Sequence, residues 1–232
     1  MIQISQLKLP ISHTEADLRQ KFKKSLRCGE TLFSYEIIRQ SLDARHKEDK
    51  KIVYTVHVKA ENEKKILKKV HGNNVMSTNE RHYSFPKPGD QPLETRPVIV
   101  GSGPAGLFCA WYLARAGYRP LVLERGEEAD KRMETVNRFW KNGVLDSESN
   151  VQFGEGGAGT FSDGKLNTLV KDSSGRNREV LKRFTEAGAD PEILYQQKPH
   201  LGTDVLVNIV QTMRRQIEEM GGTFRFRSKV TD

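Results

Sequence analysis

The sequence predicts an α/β chain in two parts: a small ferredoxin-like α+β domain followed by an incomplete Rossmann-like parallel sheet. Three observations predict this fold. Residues 85–92 hold three prolines and a glycine, which cannot continue a helix or a central strand. The segment before this break has the apolar spacing of strand, helix, strand, strand, helix and strand, and the segment after it opens with a strand, a glycine turn and a helix. The predicted domains are residues 1–85 and 96–232, joined by a linker at residues 86–95.

The first part combines two apolar periods. Leu18, Phe22 and Leu26 recur every four residues, which is the spacing of one helix face, and Thr14 with Asp17 forms a predicted capping pair before them. Apolar residues at every second position predict strands. The predicted elements are strands at residues 2–4, 33–37, 52–58 and 75–85 and helices at residues 18–26 and 66–70.

The second part opens with an apolar strand at residues 97–100, which we expect to be buried on both faces. A G-x-G-x-x-G turn follows, formed by Gly101, Ser102, Gly103, Pro104, Ala105 and Gly106. In such a turn the first glycine makes the tight bend, the second lets the backbone approach a pyrophosphate, and the third lets the helix pack closely on the strand. Pro104 suits the first position of this helix, whose free amides and positive dipole end attract phosphate.

A second apolar strand at residues 120–124 ends in Glu124. This acid lies 23 residues after Gly101, near the offset of the acid that binds ribose hydroxyls in dinucleotide domains. A long stretch then intervenes before a helix at residues 204–220 and a third strand at residues 223–226. Because strand, glycine turn, helix and acid-tipped strand stand in the required order, the sequence predicts dinucleotide binding.

Residues 101–106, together with the run LERG at 123–126, resemble the FAD-binding start of the glutathione-reductase-like flavoprotein superfamily. The runs NVQFGEGGAGTFSDGKL at 150–166 and KPHLGTD at 198–204 resemble a bacterial family of FAD-dependent dehydrogenases, which is also similar in carrying an amino-terminal ferredoxin-like domain. The resemblance covers the whole chain. Related flavoproteins continue beyond the third strand, so we expect this chain to be an amino-terminal fragment with uncovered apolar surface and marginal stability or altered flavin retention.

The resemblance implies an FAD-dependent oxidoreductase, a dehydrogenase that passes hydride equivalents through bound flavin, with NAD(P)H a candidate electron donor and the substrate unspecified. It implies that the turn at 101–106 holds the FAD pyrophosphate and that Glu124 binds the adenosine ribose. It also implies that Arg125 lies near the adenine and that the backbone of Val230 meets the adenine edge. The loop implied to approach the pyrophosphate, ribityl chain or isoalloxazine consists of Gly156, Gly157, Ala158, Gly159 and Thr160.

Lys165 ends a G-x-x-x-x-G-K run that begins at Gly159 and nearly matches a phosphate-binding Walker loop. Leu166 stands where that loop needs Ser or Thr for Mg²⁺, and no buried strand precedes the run, so a nucleoside triphosphatase is not expected. Lys165 stays a cofactor-binding candidate because a cation near the flavin pyrimidine would stabilise the anionic reduced ring. A solvent-facing loop lysine is an equal alternative.

Two other functions remain open. One is an NAD(P)-binding dehydrogenase without flavin, in which Arg125 contacts a 2′-phosphate. The other is a non-catalytic module that binds a nucleotide or nucleic acid, because residues 1–90 carry 18 Lys and Arg against 11 Asp and Glu, and such a charge attracts phosphate backbones or an acidic protein. Many of these lysines fall within helical patterns. A solvated helix face is the simpler interpretation, and nucleic acid is not the expected partner.

The remaining side chains indicate little specific chemistry. The two cysteines, Cys28 and Cys109, exclude a disulfide scaffold and a four-cysteine zinc site, and no His, Cys or Asp cluster has metal-ligand spacing. Cys109, Trp111 and Trp140 are expected to pack in the core and His200 to be a hydrogen-bonded loop residue, so no catalytic residue is assigned. Without an apolar stretch of roughly 20 residues or a secretory signal, we expect a soluble cytoplasmic protein.

Overall fold

The computed structural model describes residues 1–28, 33–70, 72–79, 82–166, 168 and 170–231. The chain divides into two compact units. The first unit consists of Met1–Tyr83, Val170–Leu181 and Pro191–Pro199, and the second of Ser84–Leu169, Lys182–Asp190 and His200–Asp232. The predicted domain boundaries at residues 1–85, 86–95 and 96–232 stay predictions.

The first unit contains the predicted antiparallel sheet with helices on it. Its elements are β1 (Ile2–Pro10), α1 (Glu15–Leu26), β2 (Phe33–Asp43), β3 (Lys51–Ala60), α2 (Glu63–Lys69) and β4 (Val75–Ser77). The strands lie in the order β2-β3-β1-β4, and each neighbouring pair is antiparallel. This order and these directions are the ferredoxin-like arrangement, so the predicted βαββαβ fold is confirmed.

Helix α1 begins where the sequence predicts. Oγ1 of Thr14 accepts a hydrogen bond from the amide of Asp17 at 3.3 Å, and Oδ2 of Asp17 accepts one from the amide of Thr14 at 2.8 Å. These two bonds form a capping box, which satisfies amides that the first turn leaves free. Leu18, Phe22 and Leu26 are buried in the core of the first unit, so the predicted apolar face is confirmed.

Strand β1 extends further than the predicted residues 2–4. Gln6 has a left-handed φ of 57°, and the pairing register with β3 shifts between Ile4 and Leu7. After the shift Leu7 and Leu9 are buried, so β1 contributes to the core along most of its length.

Strand β4 is shorter than predicted. The sequence predicts a strand over residues 75–85, whereas β4 ends at Ser77 and residues 78, 79 and 82–85 form no strand. Residues 80 and 81 lie outside the described residues. The polar residues Thr78 and Asn79 end the apolar alternation, which explains the early end of β4.

A short segment of the first unit pairs with the outer edge of β2 at Gln40. The amide of Gln40 donates to the carbonyl of Tyr195 at 2.7 Å, and the amide of Gln197 donates to the carbonyl of Gln40 at 2.9 Å. Nη2 of Arg39 also donates to Oε1 of Gln197 at 2.7 Å. Residues 195–197 therefore extend the hydrogen bonding of the sheet beyond its edge strand, and we call them the edge strap.

The second unit contains the predicted parallel sheet. Its elements are β5 (Val98–Val100), α3 (Pro104–Arg115), β6 (Leu121–Leu123), α4 (Ala129–Asn142), a 3-10 helix (Ala158–Phe161), α6 (Thr203–Glu219) and β7 (Thr223–Arg225). Helix α5 (Arg176–Glu186) precedes α6 in the chain, and its residues 176–181 belong to the first unit and 182–186 to the second. The strands lie in the order β5-β6-β7 and both pairs are parallel. The Rossmann-like sheet is confirmed. In the described part of the chain, no helix has both the length and the apolar character of a membrane span.

The parallel sheet is covered on one face by the helices described. Ile99 and Val122 are buried on the face that α3 and α6 contact. Val98 and Val100, on the opposite face, are 56% and 67% exposed. The expectation that this strand is buried on both faces is therefore wrong, and the expected uncovered apolar surface is present.

Candidate functional site

The turn between β5 and α3 has the geometry that its glycine pattern predicts. Gly101 has φ 90°, a conformation that side chains other than glycine rarely adopt. A Cβ on Gly106 would lie 2.0 Å from the carbonyl oxygen of Gly101, so the turn requires glycine there. Pro104 is the first residue of α3, and the first amide bonded within the helix is that of Leu107, which donates to Gly103. The amides of the first helical turn are therefore available to a ligand.

Glu124 joins the end of β6 to the glycine turn. Its carboxylate is only 4% exposed. Oε2 accepts from the amide and the hydroxyl of Ser102, both at 2.8 Å, and Oε1 accepts from the amide of Gly126 at 2.9 Å. A carboxylate offers about four acceptor positions, so roughly one position, on Oε1, is left for a further donor such as a ribose hydroxyl.

The glycine-rich loop lies directly against the turn. The amide of Gly156 donates to the carbonyl of Ser102 at 2.9 Å. Gly156 and Gly157 have φ values of 83° and 65°, and a Cβ on Gly157 would lie 3.2 Å from both Cα of Gly103 and Cδ of Pro104. Two segments more than 50 residues apart in the sequence thus meet through bare backbone, as a diphosphate site requires.

A cavity of about 300 Å³ opens beside this contact, and we call it the turn cavity. Six of the candidate residues line it, namely Gly101, Gly103, Glu124, Arg125, Gly157 and Val230. The other lining residues are Val100, Leu123, Gln152, Phe153, Gly154, Ser228 and Lys229. The cavity therefore combines the glycine turn, the end of β6, the glycine-rich loop and the segment after β7.

Arg125 forms one wall of the turn cavity. Its Nη2 and Nε lie 2.9 and 3.1 Å from Oε2 of Glu148, and its guanidinium stacks 3.7 Å from the ring centre of Phe153. Nζ of Lys229 lies 3.4 Å from the same carboxylate. The positive charge at this wall is thus partly neutralised by Glu148.

Other candidate residues line a second cavity, of about 200 Å³. The candidate residues that line it are Pro104, Gly156, Gly159, Thr160 and Lys165, and most of their neighbours are apolar residues of α3 and α6. Ala158 lines neither cavity. Nζ of Lys165 lies 2.8 Å from Asp163, whose hydrogen bond raises the pKa of the lysine, and both side chains are largely exposed. Lys165 is therefore not among the residues that line the turn cavity.

Arg132 is a functional candidate that the sequence does not reveal. It lies in α4, is fully buried, and donates to carbonyls of the loop that precedes the 3-10 helix. These carbonyls belong to Asn150, Val151, Gly154, Glu155 and Gly157. Burial lowers the pKa of Arg132 to about 10, so the side chain is charged at neutral pH.

Glu155 is a second buried charge that the sequence does not reveal. Its Oε2 accepts from the amide of Ala129 at 2.7 Å, and its Oε1 lies 2.9 Å from Nε of Arg214, without hydrogen-bond geometry. Burial raises its pKa to about 7, against the opposing effect of Arg214. Neither Arg132 nor Glu155 belongs to a spacing pattern, because their partners are set by the path of the loop.

Several expectations for other side chains need correction. Cys109 and Trp140 are exposed rather than in the core, and the indole of Trp140 meets only the edge of Phe161 among the described ring contacts. Trp111 is buried as expected, with Nε1 donating to Gln216 at 3.0 Å. Within the described ranges there is no group of three or more His, Cys, Asp or Glu that could hold a metal ion.

Comparison with known protein families separates the two parts of the chain. Residues 99–158 match the family model of the NAD(P)-binding Rossmann-like domain. Residues 1–59 match a family described as a domain of unknown function (DUF8436). The second unit therefore contains the start of a Rossmann-like domain, in agreement with its sheet and glycine turn.

The chain is also similar to longer proteins. Over 230 residues, 99% of the chain, it is 45% identical to a protein of Clostridium beijerinckii described as uncharacterized, and the match covers 43% of that protein. A stretch of 45 residues, 18% of the chain, is 51% identical to 7% of an L-glutamate oxidase precursor of Streptomyces viridosporus. A stretch of 51 residues, 22% of the chain, is 45% identical to 16% of a thiamine thiazole synthase of Saccharolobus islandicus. The matched stretches cover less than half the length of each of these relatives.

Proposed function

We propose that this protein binds FAD in the turn cavity and is an FAD-dependent oxidoreductase of the glutathione-reductase-like superfamily. The observation that carries the proposal is the gathering of the glycine turn, Glu124, Arg125, Gly157 and Val230 around one cavity. The match to a Rossmann-like family and the short similarity to an L-glutamate oxidase precursor support it.

The residues present fit a dinucleotide. A Cβ on Gly103 would find only Cα of Gly157 nearby, at 4.0 Å, so the space in front of this glycine belongs to the cavity rather than to the packing of the fold. The first turn of α3 offers amides and a positive dipole end to the diphosphate. The remaining acceptor position on Glu124 suits a ribose hydroxyl, and Arg125 with Val230 would flank the adenine.

When bound, FAD would supply hydride transfer between a reduced donor, for which NAD(P)H is a candidate, and an unspecified substrate. The chain would bind the diphosphate through backbone amides of the turn and orient the ribose through Glu124. Gly156, Gly159, Thr160 and Lys165 face the second cavity and are proposed to approach the remaining part of the cofactor.

The test is the absorption spectrum of the purified protein with the substitution Gly103→Val. We expect the wild type to absorb in the blue and to release FAD on denaturation, and G103V to lower the affinity for added FAD at least tenfold because the new side chain fills the phosphate space. Gly89→Val is the matched control, since a Cβ there meets nothing within 4 Å. Unchanged flavin binding by a folded G103V protein would contradict the proposal.

A second candidate is an NAD(P)-binding dehydrogenase without flavin, and the description of the matched family favours it. The carboxylate of Glu148 argues against NADP as the ligand, because it already pairs with Arg125 and would repel a 2′-phosphate. A colourless protein whose thermal midpoint rises more with NADP than with FAD would support this candidate.

A further inference from the structure

Arg132 forms an unusual number of hydrogen bonds to one loop. Its Nε donates to Asn150 at 2.8 Å and its Nη2 to Val151 at 2.9 Å. Its Nη1 lies 3.3, 2.7 and 2.9 Å from the carbonyl oxygens of Gly154, Glu155 and Gly157. Because a Cβ on Gly154 would lie 2.4 Å from Cδ of Arg132, the loop also packs tightly on the aliphatic part of this side chain.

These contacts decide which way the loop amides point. In a trans peptide the carbonyl and the amide point in opposite directions, so a carbonyl held by Arg132 turns the following amide away from it. The carbonyl of Glu155 binds Arg132, and the following amide, that of Gly156, donates to Ser102 in the glycine turn. The carbonyl of Gly157 also binds Arg132, which turns the amide of Ala158 away from the guanidinium at the start of the 3-10 helix.

The charge of Arg132 is compensated within the same buried region. Burial lowers the pKa of Arg132 to about 10, and the charges of Glu124 and Glu155 oppose this effect. Glu155 in turn holds the amide of Ala129 at the start of α4, the helix that carries Arg132. The cation, its counter-charges and the loop carbonyls thus form one buried group, of which Glu124, Gly154 and Gly157 also line the turn cavity.

We infer that Arg132 is a positioning residue for the diphosphate site. It fixes the loop so that the backbone of Gly156 and Gly157, whose amides donate to Ser102 and Gly154, lies directly against the glycine turn. The inference rests on the proposed function, because the loop is taken to face a dinucleotide. Arg132 itself touches no ligand; it acts through the peptide groups of Glu155 and Gly157.

The test compares Arg132→Lys and Arg132→Ala with Arg96→Met. Arg96 is a suitable control because it also bridges backbone carbonyls, those of Arg119 and Pro120, with Nε to Arg119 at 2.7 Å. It adds a bond from Nη2 to Oγ1 of Thr223 at 2.6 Å. Arg119 and Pro120 precede β6, and Thr223 begins β7. These partners therefore lie at the amino-terminal ends of the parallel strands, whereas the glycine turn lies at the carboxyl-terminal end of β5.

We expect R132K and R132A to lower the affinity of the folded protein for FAD and ADP at least tenfold, and 20 mM ethylguanidinium to restore most of the affinity of R132A. R96M is expected to lower the unfolding midpoint and to leave both affinities within twofold. In the absence of nucleotide, the amide of Gly156 should exchange hydrogen faster in R132K than in the wild type, because its bond to Ser102 loosens.

Three results would overturn the inference. R132K that binds FAD like the wild type would refute it while leaving the proposed function intact. Unchanged exchange of the Gly156 amide in R132K would refute the effect on the loop without any ligand. If the wild type binds neither FAD nor ADP, the proposed function fails and the positioning role falls with it. Should R132A not fold, R132K carries the comparison.

Discussion

Gly103 and Gly106 stand three residues apart in the same turn, yet the structure uses them differently. A Cβ on Gly106 would collide with the carbonyl of Gly101 at 2.0 Å, whereas one on Gly103 would meet its nearest neighbour at 4.0 Å. Gly106 is therefore required by the packing of α3 on β5, and Gly103 is not required by the fold. A substitution at Gly103 can consequently separate ligand binding from folding, which a substitution at Gly106 cannot.

Glu155 should make the stability of the protein depend on pH. Burial raises its pKa from 4.5 to about 7, so the folded state binds a proton more tightly than the unfolded state. Its contribution to stability is therefore full below pH 4.5 and is lost as the pH rises to about 7. We expect the free energy of unfolding of the wild type, relative to that of Glu155→Gln, to fall by about 2–3 kcal/mol between pH 5 and pH 8.

Urea denaturation of both proteins across this pH range measures the difference. The neutral amide of E155Q keeps the shape of the side chain and an acceptor for the amide of Ala129 but does not titrate. Parallel curves for the two proteins would show that Glu155 does not carry the pH dependence.

At the scale of the element, α1 provides a direct test of capping. Thr14→Ala removes the acceptor for the amide of Asp17 and should cost about 1 kcal/mol in the free energy of unfolding. Ser25→Ala is the control within the same helix, because Oγ of Ser25 donates only to the carbonyl of Lys21 on an exposed face and this bond contributes little to helix stability. Equal losses for the two variants, measured by urea denaturation, would contradict the role of the cap.

Elements with local signals were predictable from the sequence, and contacts set by the path of a loop were not. The cap at Thr14 and the glycine turn depend on residues close in sequence, so the sequence predicts both. The end of β4 depends on the polar residues Thr78 and Asn79, and the apolar alternation alone predicted a strand that was too long. No sequence pattern indicates that Arg132 and Glu155 are buried, because a buried charge is recognised only from the partners that surround it. The exposure of Cys109 could not be predicted either, since it depends on which faces of the helices are covered.

At the scale of the whole molecule, the uncovered face of the parallel sheet should promote self-association. Val98 and Val100 are 56% and 67% exposed on that face, and exposed apolar patches favour association. The double substitution Val98→Thr and Val100→Thr should reduce concentration-dependent association in sedimentation velocity and lower the binding of an apolar dye. Its free energy of unfolding should stay within about 0.5 kcal/mol of the wild type.

Val122→Thr is the matched control for this surface. Val122 lies on the neighbouring strand but is fully buried, so a hydroxyl there should cost about 1–3 kcal/mol. Association that is unchanged in the double variant would mean that another surface is responsible.

The edge strap has a consequence for any shortened form of the protein. Gln40 exchanges two backbone bonds with Tyr195 and Gln197, residues distant in sequence from the sheet that they border. A fragment ending at residue 85 would lose these partners and leave the outward amide and carbonyl of Gln40 open. Unpaired groups at a sheet edge are a template to which strands of other copies can add. Such a fragment would be more prone to form sheets between molecules, so the edge strap protects this point of the β2 edge against intermolecular association.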